Sequence, residues 1–159
     1  MVSAYEVAAQ TPDPELPMVT VADLGILRSV EETDDGVVAT ITPTYSGCPA
    51  MREISADLEH RLHGAGFRRV AVRMRLAPPW TSDWITAEGH RKLAAAGIAP
   101  PAAAPKGRVP LTLGMRPPAT CPRCGSTRTT RTAAFSATAC KALHRCEDCA
   151  EPFESVKAI

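Results

Sequence analysis

Aromatic side chains are scarce, at 4% of 159 residues. Aliphatic side chains must therefore fill whatever core the chain builds. A dominant sign of charge is also missing, since the formal net charge is +1 at pH 7. No global attraction to nucleic acid or to an anionic membrane follows. Long apolar runs are absent too. The Ala-rich stretch from Leu93 to Ala104 is broken by Pro100 and Pro101, and nothing approaches the roughly 20 residues of a bilayer-spanning helix. The opening MVSAYEVAAQ lacks a basic start and is interrupted by Glu6 and Gln10, so it does not read as a secretory signal. Together these absences predict a cytoplasmic protein with neither membrane nor nucleic acid as partner. The 45% apolar and 22% charged content suits one small domain, or a small domain joined to a metal-stapled module.

The order of elements points to an α/β fold. Ala4 to Gln10 reads as a short helix, stopped by the prolines of Thr11-Pro-Asp-Pro-Glu-Leu-Pro17. Ile26 to Val30 and the β-branched Val37 to Thr42 flank the turn signal Asp34-Asp35-Gly36, which predicts a hairpin. A helix is expected to open at Pro49, with Met51, Ile54, Leu58 and Leu62 on its buried face and Gly64 and Gly66 at its end. Val70, Val72, Met74 and Leu76 alternate with Arg69, Ala71, Arg73 and Arg75, which predicts a third strand with one apolar face. Thr86 is placed to cap a helix running to about Ala96 and closed by Gly97. The expected architecture is a small mixed-sheet domain over residues 1–98, with helices packed on one face of the sheet. A proline-rich linker over 99–118 follows, in which Val109 to Leu113 is the apolar stretch, and then a three-stranded zinc ribbon over 119–159.

The ribbon rests on the cysteines. Cys121-Pro-Arg-Cys124-Gly125 and Cys146-Glu-Asp-Cys149 are two C-x-x-C pairs, a pattern of metal binding in a reducing compartment rather than of a disulfide framework. Two intervening residues let both thiolates of a pair face one point, and Gly125 eases the turn that follows. Strands are expected at Thr127 to Ala134, Lys141 to Arg145 and Pro152 to Lys157. The four thiolates predict a structural Zn2+ with no open catalytic position, although four thiolates would equally hold an iron–sulfur cluster.

Outside the quartet, Cys48 stands beside the expected helix start, where unpaired N–H groups favour a thiolate, against the plainer reading of a packed thiol. Asp13 and Glu15 lie in the proline-rich turn, from which they can approach Cys48 or simply remain solvated. Trp80 and Trp84 serve either the core or a partner contact. Cys140, next to Lys141, and His144, two residues before Cys146, read as packed strand residues, with a lowered thiol pKa and a role behind the metal as the sharper alternatives. His60 and His63 are three apart on a helix, but no third ligand is evident. No histidine base for Cys48 and no Gly-rich phosphate loop are visible, so independent catalysis is not expected.

Several longer motifs carry a resemblance. Asp13-Pro-Glu-Leu-Pro17, Val21-Ala-Asp-Leu-Gly-Ile26, Pro43-Thr-Tyr-Ser-Gly-Cys-Pro-Ala50 and Trp80-Thr-Ser-Asp-Trp84 resemble the small domain of SufT-like iron–sulfur assembly factors. With Gly97-Ile-Ala-Pro-Pro101, Cys121-Pro-Arg-Cys-Gly-Ser126 and Thr138-Ala-Cys-Lys-Ala-Leu143 added, the whole chain resembles the PaaD (PaaJ) family. These are the D-type components of the phenylacetyl-CoA epoxidase system of aerobic phenylacetate degradation. The resemblance implies an accessory or maturation factor that delivers an iron–sulfur cluster or iron, with the oxygenase and reductase subunits as partners. A structural subunit of the oxygenase complex is the alternative. It further implies that Cys48 is the transfer ligand, with Asp13 and Glu15 matching the family's acidic pair. Ala158 departs from the pattern, standing where relatives often carry cysteine.

Overall fold

The computed structural model describes residues 2–102 and 118–159, and the chain divides into two compact units, Met1–Gly89 and His90–Ile159. In the first unit, helix α1 (Ala4–Ala9) opens with a reciprocal cap. The Glu6 amide donates to Ser3 Oγ at 3.2 Å and the Ser3 amide donates to the Glu6 carboxylate at 2.8 Å. The Ser3 amide holds the Glu6 carboxyl below its usual range. Ala4 and Ala8 form the buried side of α1.

Strands β1 (Leu27–Thr33) and β2 (Gly36–Ile41) form the expected antiparallel hairpin, and β3 (Val70–Met74) adds parallel to β2, giving the order β1-β2-β3. Helix α2 (Ala50–Gly64) is the crossover between the two parallel strands. It buries Met51, Ile54, Leu58 and Leu62, the four positions that the 3.6-residue period marks. Val37, Ala39 and Ile41 alternate inward along β2. Helix α1 packs on β1 and α2, and α2 packs on β3, so the apolar side of the sheet is covered by helices. Pro49 occupies the cap position with no side-chain cap bond, rather than the first helical position.

The third strand departs from expectation at its end. Val70 and Val72 are half-buried, but β3 stops at Met74, and Met74 and Leu76 are 54% and 63% exposed. Alternation sets which face a side chain takes, not whether a helix extends far enough to cover it.

The second unit holds a four-stranded sheet in the order β4-β7-β6-β5. The three expected ribbon strands are β5 (Thr129–Ala133), β6 (Lys141–Cys146) and β7 (Pro152–Val156), antiparallel in sequence. A two-residue strand, β4 (Ile98–Ala99), pairs parallel to β7 on the outer edge. The boundary expected at residue 98 is thereby displaced, because Ile98 and Ala99 belong to the ribbon sheet. Helix α3 (Ala87–Ala95) spans the division between the units, and Thr86 Oγ1 caps it by accepting from the Gly89 amide at 2.9 Å. Most of the expected linker, including Val109 to Leu113, lies outside the described residues.

Candidate functional site

Each C-x-x-C pair folds as a tight turn that aims amides at sulfur. The Gly125 amide donates to the Cys121 carbonyl at 2.9 Å, and the Cys146 amide donates to the Glu151 carbonyl at 2.9 Å. In the first turn Gly125 takes φ +74°, and in the second Ala150 takes φ +62°. That is the left-handed region, open to glycine and strained for alanine. The turns bring all four Sγ atoms within 4.8 Å of one another, with Cys121 to Cys149 at 3.7 Å and Cys124 to Cys146 at 3.5 Å. Four sulfurs about 2.3 Å from a central tetrahedral ion lie about 3.8 Å apart, so the quartet fits such an ion.

Electrostatics agree with the geometry. The amides of Cys149 and Asp148 bring the Cys146 thiol down to about 7, against the opposing effect of burial. The Ser126 amide works to lower Cys124, but the crowding thiols, that of Cys146 foremost, together with burial push it up to about 12. Sulfurs this close ionise together only around a cation. Cys121 and Cys146 are also core residues, clustered with Ala99 and Phe153 and touched by Ala119. Cys124 and Cys149 face outward. Among the described residues, this quartet is the group of three or more donors gathered closely enough to hold a metal ion.

Cys48 sits in the loop before α2, half-buried, with its amide donating to the Tyr45 carbonyl at 3.3 Å. Its thiol is raised, not lowered as the helix-start argument expects. Burial is the largest cause. The Ala50 amide and the Tyr45 hydroxyl pull the other way, and the carboxylates of Glu15 and Asp13 add to the rise. The fold therefore brings Asp13, Glu15 and Cys48 into electrostatic range of one another, although they do not form a closed ligand set. Asp13 is buried, and its Oδ1 accepts from the amides of Glu15 at 2.9 Å and Leu16 at 2.8 Å. It organises the turn that presents Glu15. Tyr45 has no role that the sequence alone suggests, and its spacing of three from Cys48 within one loop is the available signal.

The tryptophans separate. Trp80 is 5% exposed and donates from Nε1 to the Leu24 carbonyl at 2.8 Å, so it serves the fold. Trp84 closes a short 3-10 turn (Ser82–Trp84) and stays half-buried. The Arg28 guanidinium lies 3.5 Å over its ring. His144 stacks on Phe153 and shares a 2.9 Å hydrogen bond with Ser155 through Nε2, while its buried Nδ1 has no hydrogen-bond partner among the described residues. Cys140 meets Thr138 Oγ1 at 3.1 Å.

Residues 7–76 match the family described as iron-sulfur cluster assembly protein, and residues 106–157 match the PaaD zinc beta ribbon domain. The chain is 41% identical over 156 residues to a protein of Escherichia coli (strain K12), spanning 98% of this chain and 91% of that one. That protein is provisionally described as the D component of a 1,2-phenylacetyl-CoA epoxidase. The fold is similar to the crystal structure of a DUF59 domain from Bacillus anthracis, with TM-score 0.52, 26% identity, and coverage of 57% of this chain and 87% of that one. The sequence is also similar to that of Rv1466 from Mycobacterium tuberculosis, known from a solution structure and described as associated with Fe-S complex assembly and repair. There the identity is 34%, the TM-score 0.34, and the coverage 58% of this chain and 81% of that one.

Proposed function

Because the chain belongs to the PaaD family, whose Escherichia coli relative is described as the D component of phenylacetyl-CoA epoxidase, we propose that it matures that oxygenase system by delivering an iron–sulfur cluster or iron. The observation that carries this reading is the setting of Cys48. Its half-buried thiol stands at the start of α2 beside the carboxylates of Glu15 and Asp13. Two nearby negative charges disfavour a free thiolate, and so disfavour a nucleophilic role. The same charges favour a thiolate bound to a cation. Iron in the cargo displaces the thiol proton to solvent, and the carboxylates stabilise the resulting sulfur–iron bond. The bond is labile because Cys48 is not part of a closed ligand set. Asp13 and Glu15 act here on the cargo's charge, with Asp13 also holding the turn.

Under the same reading the quartet Cys121, Cys124, Cys146 and Cys149 holds a structural zinc. Zinc supplies cross-linking of the two turns and offers no open position for catalysis. A chain with all six cysteines outside disulfides and a labile metal site belongs in the reducing cytoplasm. Recipients are the reductase and oxygenase components. A second reading, a structural subunit of the complex, is favoured by the partly open Trp84, whose indole face is already occupied by Arg28 on one side.

Anaerobic reconstitution decides between them. Wild-type protein is expected to take up iron and sulfide and to activate the apo-reductase, while Cys48→Ser is expected to lose uptake with the ribbon still zinc-loaded. Equal uptake and equal activation by the two proteins exclude Cys48 from delivery.

A further inference from the structure

The first unit is acidic, with thirteen Asp and Glu against seven Arg and no Lys over residues 1–89. Four of those seven arginines, Arg68, Arg69, Arg73 and Arg75, fall within eight residues on or beside β3. Strand β3 is an edge. Among the described residues it pairs with β2 and with no other strand. Its partners Val37, Ala39 and Ile41 set the faces: Val70, Val72 and Met74 point to the helix side, and Arg69, Ala71 and Arg73 to the opposite side. Arg75 and Leu76 continue the alternation, since the Arg75 amide still donates to the Ile41 carbonyl at 2.8 Å.

Three features coincide on this edge. Its outer backbone groups have no strand partner among the described residues. Its guanidiniums are little compensated: the 79% exposed Arg69 makes only a long, exposed 4.0 Å ion pair with Asp35. Among the described residues no carboxylate lies within ion-pair distance of Arg68, Arg73 or Arg75. Finally, Met74 and Leu76 leave an apolar strip open beside the arginines. Charged side chains commonly guard an edge against pairing. That explanation covers the arginines against a second copy, because two β3 edges side by side set like charges together. It leaves the exposed Met74 and Leu76 without a role.

We propose that the β3 edge docks an extended, carboxylate-bearing segment of a partner protein by strand addition. Arg69, Arg73 and Arg75 take its carboxylates on one face, and Met74 and Leu76 take its apolar side chains on the other. The rest of the unit repels an acidic partner, which confines docking to this strand. Helix α2 leaves the sheet at the end where β2 and β3 finish, so Cys48 stands at the same end as Leu76. Identifying the docked partner with the recipient of the cargo rests on the proposed function; the docking itself does not.

The test uses the full-length, zinc-loaded protein and two short synthetic peptides, one alternating glutamate with valine and one alternating lysine with valine. Titration followed by amide chemical shifts is expected to move Val70 to Leu76 with the glutamate peptide. Binding is expected to be at least about tenfold tighter than for the lysine peptide. The double variant Arg73→Glu, Arg75→Glu is expected to reverse that preference, and Arg73→Lys, Arg75→Lys to preserve it. Both pairs are exposed, so unchanged circular dichroism confirms the fold. Equal binding of the two peptides, no binding of either, or shifts confined elsewhere overturn the surface. Cys48→Ser is expected to bind the glutamate peptide like wild type while failing at iron uptake. The Arg73→Glu, Arg75→Glu variant is expected to load iron normally and to slow hand-over to the apo-reductase. Normal hand-over by that variant overturns the recipient as the docked partner.

Discussion

At Cys48 the local environment outweighs the helix end. A helix start stabilises a thiolate by a few aligned amides, but here burial and two carboxylates act together against it. With the folded value above the unfolded one, the bound proton stabilises the fold below the unfolded value. That contribution disappears as pH rises through the folded one. Alkylation of Cys48 by iodoacetamide at pH 8, followed by peptide mass mapping, is therefore expected to be slower than that of free cysteine, and Glu15→Gln is expected to speed it. A rate above that of free cysteine contradicts the charge assignment. In the ribbon, Ala150 and Gly125 occupy corresponding positions after the two C-x-x-C pairs, both with positive φ. Ala150→Gly is expected to raise the stability of the zinc-loaded ribbon, and Gly125→Ala to lower it, each by about 1 kcal/mol. Space is not the issue at Gly125, since an added Cβ meets nothing within 4 Å. Thermal melts of the two variants read the difference in opposite directions.

Elements with a strong local period were legible in the sequence. The α2 face, the hairpin and both C-x-x-C turns are written within a few residues of themselves, and each is where the pattern puts it. Long-range pairing was not. Strand β4 is two residues long and joins β7 more than fifty positions away, so no local window contains the bond that defines it. The partial burial of β3 was hidden for a related reason, as alternation is local while cover by α2 is tertiary. Trp80 was ambiguous until its bond to Leu24 was seen, because an indole suits a core and an interface equally. In the ribbon sheet, β6 and β7 share an ion pair: Lys141 Nζ lies 2.8 Å from Glu154, with Lys141 only 6% exposed. Burial works to raise the Glu154 carboxyl, but Lys141 and Ser136 outweigh it and hold it below its usual range. The pair therefore contributes stability above the unfolded value of Glu154 and loses it as pH falls through the folded one. Glu154→Gln is expected to cost about 2 kcal/mol by leaving a buried ammonium without its counter-charge. Chemical denaturation near neutral pH reads the loss, and a gap between variant and wild type that does not narrow in acid contradicts the ionic origin.

For the whole chain, the two units differ in what holds each of them together. The first buries Val19, Val21, Ile26, Ile41, Ile54, Leu58 and Leu62 almost completely, a core of aliphatic side chains in a protein nearly without aromatics. The second relies on a cluster of Ala99, Cys121, Cys146 and Phe153, in which two of the four members belong to the cysteine quartet that is gathered closely enough to hold a metal ion. A sheet that small does not bury enough surface to offset its chain entropy. Metal binding in comparable sites supplies on the order of 10–16 kcal/mol of apparent free energy. Stripping the metal from the full-length protein with a strong chelator, under reducing conditions, is therefore expected to act on one unit alone. Amides of β5, β6 and β7 lose protection from hydrogen exchange, because their cross-link is gone and four crowded thiols must take up protons. Amides of β2 and α2 keep their protection, since the core they share is built from aliphatic side chains of their own unit. Returning zinc restores the ribbon amides, and Cys146→Ser prevents the restoration by removing a ligand and a core side chain together. Loss of protection in β2 and α2 on chelation contradicts an independent aliphatic core, and intact protection in β5 to β7 contradicts a fold built on the metal.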